Sequence, residues 1–257
     1  TIINEKNITR DHTEIMLKSF GANIQVERGF NNTKITLVGK KELKSKNLSV
    51  PSDLSSASFF IVAALINKDS NIILENININ STRNGILKAL DKMGANIKVI
   101  NKRLLNEEVV GDISVKTSKL NGCELNEDMS KLMIDEYPIL SVAASFANSP
   151  SIFRGLKELR VKESDRLELI KKNLNQCGIS CEITNDDLFI YPKEKLDVNN
   201  NKIKTNFDHR IAMSFAIMGS ALGADLKIED SDSIKTSFPN FIEIFNKSGG
   251  NLKNKIE

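Results

Sequence analysis

A short string that closes a helical pattern recurs four times along this 257-residue chain, and it limits the fold more than any other feature. Phe20-Gly21-Ala22-Asn23-Ile24 returns as Met93-Gly94-Ala95-Asn96-Ile97. Weaker copies stand at Cys177-Gly178-Ile179-Ser180-Cys181 and Ser248-Gly249-Gly250-Asn251-Leu252. Ahead of the last three, apolar residues recur at spacings of three and four: Ile86, Leu87, Leu90 and Met93, then Leu167, Ile170, Leu174 and Cys177, then Phe238, Phe241, Ile242 and Phe245. That spacing lays one apolar stripe along a helix. The glycine supplies the left-handed residue that stops it, and a short strand such as 97–100 follows.

Between these endings lies a second kind of helix, apolar nearly all round and rich in small residues, at 55–66, 138–147 and 211–222. Such helices must be buried on every side. An aspartate precedes each (Asp53, Asp135, Asp208), which suits N-capping and the positive end of the helix dipole. A β-rich segment follows each, at 71–74, 151–153 and 225–228. The expected unit is buried helix, strand, turn, amphipathic helix, glycine, strand, on a period of roughly 70 to 85 residues. Three units fill 51–257 (about 51–119, 120–192 and 193–257), giving an α/β protein built of repeats. Residues 1–50 hold only the second half of a unit and a lysine-rich link at 40–46, which reads as a domain boundary. A half-unit cannot bury its own stripe. With Thr1 rather than Met at the start, the chain reads as the latter part of something larger.

Charge narrows the partners. Lysine and arginine total 36 against 33 acidic residues, a net +3, too even for a nucleic-acid binder relying on bulk charge. An anion site here must use a few placed cations. No apolar run reaches the ~18 residues of a membrane span, and no secretory leader is evident, so a cytoplasmic protein is expected. Three cysteines (Cys123, Cys177, Cys181) argue against a disulfide framework. Cys177 and Cys181 have no second ligand pair nearby, and two histidines, His12 and His209, do not make a metal cage, so no metal is expected.

Three buried helices running the same way would aim three N-termini, each a ready anion site, at one region. The charged strings beside them are Arg160-Val161-Lys162-Glu163-Ser164-Asp165-Arg166 and Asp208-His209-Arg210. Alone, the first is either a solvated helix start capped by Ser164 or Asp165, or a site with Lys162 and Arg166 on one helical face beside Glu163. Asp135-Glu136-Tyr137-Pro138 is either a cap before an N1 proline or a proton-accepting carboxylate held ionised at a helix end. Asp208-His209-Arg210 is either a cap with two surface residues or part of the same site.

These segments resemble the 5-enolpyruvylshikimate-3-phosphate synthases, the enolpyruvyl transferases of the shikimate pathway. The matching strings are Thr9-Arg10-Asp11-His12-Thr13-Glu14, Pro51-Ser52-Asp53-Leu54-Ser55-Ser56-Ala57, Asp135-Glu136-Tyr137-Pro138, Leu159 followed by the Arg160-to-Arg166 string, and Asp208-His209-Arg210-Ile211-Ala212-Met213. They stand in the family's order across essentially the whole chain, and their wording is closer to the bacterial, glyphosate-tolerant type. The resemblance implies an inverse α/β barrel of βαβαββ units around buried parallel helices. It makes 1–50 the C-terminal remnant of the first substrate-binding domain and 51–257 most of the second. Roughly 190 further residues would complete such a protein. They would carry the family's first lysine-serine-arginine loop and its glycine-bearing phosphoenolpyruvate loop.

The resemblance implies transfer of the enolpyruvyl group of phosphoenolpyruvate to the 5-hydroxyl of shikimate 3-phosphate, releasing phosphate by addition and elimination, without metal or organic cofactor. Asp135 would take the hydroxyl proton, Lys162 would bridge toward that hydroxyl, and Glu163 would work at the methylene. Arg166 and Arg210 would grip the phosphoenolpyruvate carboxylate, and Arg10 would contact shikimate 3-phosphate. One departure is Thr236, in Thr236-Ser237-Phe238-Pro239, where many members have a phosphate-touching lysine; Lys235 lies one residue earlier. The rivals are a non-catalytic anion-binding fragment, a split enzyme whose N-terminal half is a separate chain, and the sister transferase acting on UDP-N-acetylglucosamine.

Overall fold

Helices with apolar residues on every side have no face to give to water, and the three of this kind sit at the centre of the molecule. The computed structural model describes residues 1–6, 9–29, 32–193 and 201–253. The chain opens with β1 (Ile2–Glu5), α1 (His12–Ser19), β2 (Asn23–Arg28) and β3 (Thr33–Val38), then an exposed coil over 39–50. Next come α2 (Leu54–Ile66), β4 (Asn71–Asn78), α3 (Gly85–Lys92), β5 (Ile97–Leu105) and β6 (Glu108–Lys116). They are followed by β7 (Glu124–Leu125), the short α4 (Asp128–Met133), a 3-10 turn (Ile134–Glu136), α5 (Tyr137–Ser145) and β8 (Ser151–Phe153). A second 3-10 turn (Lys157–Val161) leads to α6 (Arg166–Gln176), β9 (Ser180–Thr184) and β10 (Asp187–Tyr191). The described part ends with β11 (Lys202–Ile203), α7 (His209–Leu222), β12 (Lys227–Ile228), a 3-10 turn (Ser231–Ser233), α8 (Ile234–Ser237) and α9 (Phe241–Lys247).

Every residue of α5 is buried, as is the whole of α7 from Ile211 to Gly219, and α2 leaves only Ser56 and Ile66 partly open. The three helices pack on one another pairwise. They run the same way. At one end the Ser55 hydroxyl donates to Glu136, and Arg210 donates to the carbonyl of Asp135 at 3.1 Å. At the other, Asn67 donates to Ser220 at 3.2 Å. Asp53 caps α2 through the amides of Ser55 and Ser56, and Asp208 caps α7 through those of Arg210 and Ile211.

The repeat is visible in strand order. β1-β3-β2, β4-β6-β5 and β8-β10-β9 are three copies of one antiparallel arrangement around α1, α3 and α6. A parallel pairing spans each buried helix: Ser52 with Ile77 across α2, β7 with β8 across α5, β11 with β12 across α7. All four repeat glycines have left-handed backbones, with φ of +89° (Gly21), +78° (Gly94), +83° (Gly178) and +101° (Gly249), the conformation a side chain disfavours.

Three local expectations are corrected. Asp135 does not cap α5: it lies in the 3-10 turn, and the capping position belongs to Glu136, whose side chain bonds no helix amide. Lys162 and Arg166 do not share a helix. Lys162 ends the second 3-10 turn with extended backbone (ψ −152°), and α6 starts at Arg166 with Asp165 as its cap, bonding the Glu168 amide at 3.0 Å. Phe238 lies outside α9, because Pro239 disfavours helical backbone in the residue before it; Phe238 has φ −140°. Its ring still joins Phe60, Phe241 and Phe245 in an aromatic cluster.

The three cysteines are free and buried; burial pushes Cys123 and Cys177 up to about 11 and Cys181 up to about 12, which leaves them unreactive thiols. No helix among the described residues is long and apolar enough to cross a membrane, and no described group of histidine, cysteine, aspartate and glutamate could hold a metal.

Candidate active site

The N-termini of α2, α5 and α7 meet at one place, and the charged strings singled out in the sequence converge on it. Asp135 is the hub. Its Oδ1 lies 3.2 Å from Arg166 and 3.5 Å from Lys162; its Oδ2 lies 3.2 Å from Arg10 and 3.7 Å from Arg83. Arg210 donates to its carbonyl oxygen. Burial alone would raise the pKa of Asp135, but Arg210, Lys162, Arg166 and Arg83 outweigh it and hold the carboxyl down to about 2. The cause is the ring of cations rather than the helix end invoked from the sequence.

Arg166 is the structural pin of the cluster. Its side chain is 1 % exposed, and each of its three nitrogens donates to a carboxylate: Asp208 (2.8 Å), Asp135 (3.2 Å) and Glu163. Asp208, fully buried, spends one oxygen on the cap of α7 and the other on Arg166 and the Ser164 hydroxyl (2.9 Å). A buried guanidinium is tolerable only when paired and hydrogen-bonded in this way. Lys162 reaches Glu158 at 2.6 Å as well as Asp135. Arg10, Asp135, Lys162, Glu163, Arg166 and Arg210 therefore form one network drawn from four segments. Lys235 is not part of it: it pairs with Asp232 at 2.5 Å on the exposed side of α8.

Two participants went unnoticed in the sequence. Glu136 is 1 % exposed, and burial drives its pKa up, opposed by Arg83, Ser55 and Arg210. Arg83, in the turn before α3, lies 3.6 Å from Glu136 Oε1, and Arg210 lies 3.8 Å from the same oxygen. Gly85 lets that turn come close: a Cβ there would sit 2.8 Å from Met133 and 2.9 Å from Leu132, in the segment leading to Asp135. A signal was available. Thr82-Arg83-Asn84 stands eleven residues before Gly94 just as Thr9-Arg10-Asp11 stands before Gly21, so Arg83 is the repeat counterpart of Arg10.

The sequence profile described as EPSP synthase (3-phosphoshikimate 1-carboxyvinyltransferase) matches residues 1–245. The chain belongs to the EPSP synthase family. A protein of Paramagnetospirillum magneticum named 3-phosphoshikimate 1-carboxyvinyltransferase is 43% identical over 253 residues, 98% of this chain and 57% of the relative. One of the same name from Petrotoga mobilis is 45% identical over 248 residues, 96% of this chain and 56% of the relative. The chain thus spans a little over half the length of these EPSP synthase family relatives. Among solved structures, an EPSP synthase from Acinetobacter baumannii superposes with a TM-score of 0.85 at 39% identity, over 96% of this chain and 56% of that one. The enolpyruvyl transferase NikO of Streptomyces tendae, at 16% identity and a TM-score of 0.73 over 99% of this chain and 56% of that one, shares the α/β fold.

Proposed function

We propose that the protein transfers the enolpyruvyl group of phosphoenolpyruvate to the 5-hydroxyl of shikimate 3-phosphate, releasing inorganic phosphate, and that this chain supplies most of one of its two domains. The observation that carries the reading is the convergence of Arg10, Lys162, Arg166 and Arg210 on Asp135 in a member of the EPSP synthase family. In this reading 51–257 is three units of an inverse α/β barrel (51–119, 120–192, 193–257), 1–50 ends the neighbouring domain, and the location is cytoplasmic. The curated relatives hold the matching stretch within one longer chain, so no separate N-terminal partner is invoked. Their shared name also favours the shikimate substrate over a UDP-sugar.

In the addition step the hydroxyl oxygen attacks C2 of phosphoenolpyruvate and its proton passes to Asp135, while an acid protonates the methylene carbon. In the elimination step the C2–O–phosphate bond breaks, phosphate leaves, and the methyl group returns a proton. Atoms balance between the two substrates, and no cofactor is required. An aspartate with a pKa of about 2 is a weak base. The substrates correct this: their anionic groups compensate Arg210, Arg166 and Lys162, so that burial becomes the dominant influence and raises Asp135 toward the working range. Lys162 bridges toward the hydroxyl, and Glu163, half exposed beside Arg166, serves at the methylene. Arg166 and Arg210 take the carboxylate of phosphoenolpyruvate, Arg166 exchanging Asp135 or Glu163 for it, since a planar guanidinium matches a carboxylate fork. Arg10 contacts shikimate 3-phosphate.

The test is phosphate release by the full-length protein given both substrates. Arg210→Ala is expected to raise KM for phosphoenolpyruvate by about tenfold or more and to leave that for shikimate 3-phosphate nearly unchanged. Glu163→Gln is expected to cut kcat by about a hundredfold with little change in either KM. Absence of phosphate release from the unmodified protein would refute the reading.

A further inference from the structure

Each of the three nitrogens of Arg166 bonds a carboxylate, whereas the donors of Arg83 are available. Its side chain is only 14% exposed, yet among the described residues it makes two long ion pairs, at 3.6 and 3.7 Å, and no side-chain hydrogen bond. A nearly buried guanidinium with unfilled N–H groups is costly unless an acceptor arrives. Arg210 shares the predicament: one terminal nitrogen bonds the Asp135 carbonyl, Glu136 lies 3.8 Å away, and burial together with the nearby arginines depresses its pKa against the pull of Glu136 and Asp135. Two guanidiniums thus lean on one carboxylate oxygen. The other oxygen of that carboxylate, Glu136 Oε2, is buried with no hydrogen-bond partner among the described residues.

We propose that Arg83 is an oxyanion-binding residue of this site, closing with Arg210 on a carboxylate or phosphate group, and that Glu136 is the positioning residue that keeps the two guanidiniums apart and aimed. The proposal rests on the enolpyruvyl-transfer reading of the cluster. The repeat supports it independently. Arg83 and Arg10 occupy equivalent positions eleven residues before their glycines, and both approach Asp135 Oδ2, from the turn before α3 and the turn before α1. Duplicated turns placed around one centre present duplicated arginines to it, one from each side of the lysine-rich link.

The measurement is calorimetric titration of the full-length protein with inorganic phosphate and, separately, with pyruvate, which offers a carboxylate alone. Arg83→Ala is expected to weaken one of the two by about tenfold, identifying which oxyanion it holds, and to raise KM for the substrate bearing that group while kcat falls by less. Arg83→Lys, which keeps the charge but not the planar fork, is expected to recover only part of the loss; it also stands in if the alanine variant does not fold. Glu136→Gln preserves the shape and the Ser55 contact and should retain binding better than Glu136→Ala. Unchanged affinity for both probes in Arg83→Lys and in any folded Arg83→Ala overturns the inference. Arg210→Ala, run alongside, separates the two levels. A loss there with none at Arg83 refutes the role of Arg83 and leaves the transfer reading standing, whereas absence of phosphate release from the unmodified full-length protein refutes both.

Discussion

Asp135 and Glu136 are consecutive carboxyls with opposite fates, and the difference is a matter of which neighbours each meets. Asp135 keeps 18% exposure, and Arg210, Lys162, Arg166 and Arg83 together outweigh burial and lower its pKa from 3.8 to about 2. Glu136 is sealed between helix ends, and its pKa rises above 4.5. The consequences for stability have opposite signs. A depressed carboxyl stabilises the fold above its unfolded pKa and loses that contribution as pH falls through the folded value; for Asp135 this amounts to about 2 kcal/mol, lost between pH 3.8 and about 2. A raised carboxyl favours the fold below its unfolded pKa, so Glu136 lowers stability as pH climbs above 4.5. Denaturant melts at a series of pH values should show the acid-side loss shrink in Asp135→Asn. An identical acid limb in the variant would rule out the cation ring as the source of the depressed pKa.

Elements obey the local grammar wherever one or two turns contain the whole cause. The left-handed glycines and the Asp53 and Asp208 caps were readable as strings, because each depends on groups a few residues apart. Gly94 at φ +78° gives a direct test. Gly94→Ala should cost roughly 1–2 kcal/mol, since a Cβ disfavours that backbone, whereas Gly94→Asn should cost less because asparagine visits it more readily. Equal losses in thermal melts would shift the cause from backbone conformation to the Asn121 side chain, which lies 3.2 Å from the added carbon. Where the local grammar failed, a tertiary contact had intervened. Lys162 and Arg166 have helical spacing, yet the chain extends between them. The Ser164 hydroxyl, free of the capping role taken by Asp165, turns to Asp208.

At the scale of the molecule, the first unit is held more loosely than the rest. No residue of α1 is buried, and Ile2, Ile3, Val26 and Val38 are exposed on its sheet. Polar contacts tie it to the larger body: Arg10 to Asp135 at 3.2 Å, Asn80 to Asp11 at 2.7 Å, and His12 to Glu108 at 2.6 Å. A few isolated polar contacts of this kind contribute little each, whereas α2, α5 and α7 are locked by packing. Amide hydrogen exchange of this 257-residue chain should therefore show α1 and β2 exchanging at least about a hundredfold faster than α5. Uniform protection across both would mean that the first unit is anchored by more than these contacts.

The sequence by itself determined the repeat, the three all-apolar helices and the identity of most charged residues at their N-termini. These follow from periodicity, capping and helix-stop chemistry, which act within about two turns. Only the tertiary structure decided that Arg83 joins the cluster, that Arg166 bonds three carboxylates while Arg210 bonds one carbonyl, and that Asp135 and Glu136 part in protonation. Those outcomes depend on distances between groups 27 to 125 residues apart in the chain, Arg83 to Asp135 and Arg10 to Asp135 among them. Such distances are set by how three buried helices pack side by side with their N-termini together, and no local pattern encodes them.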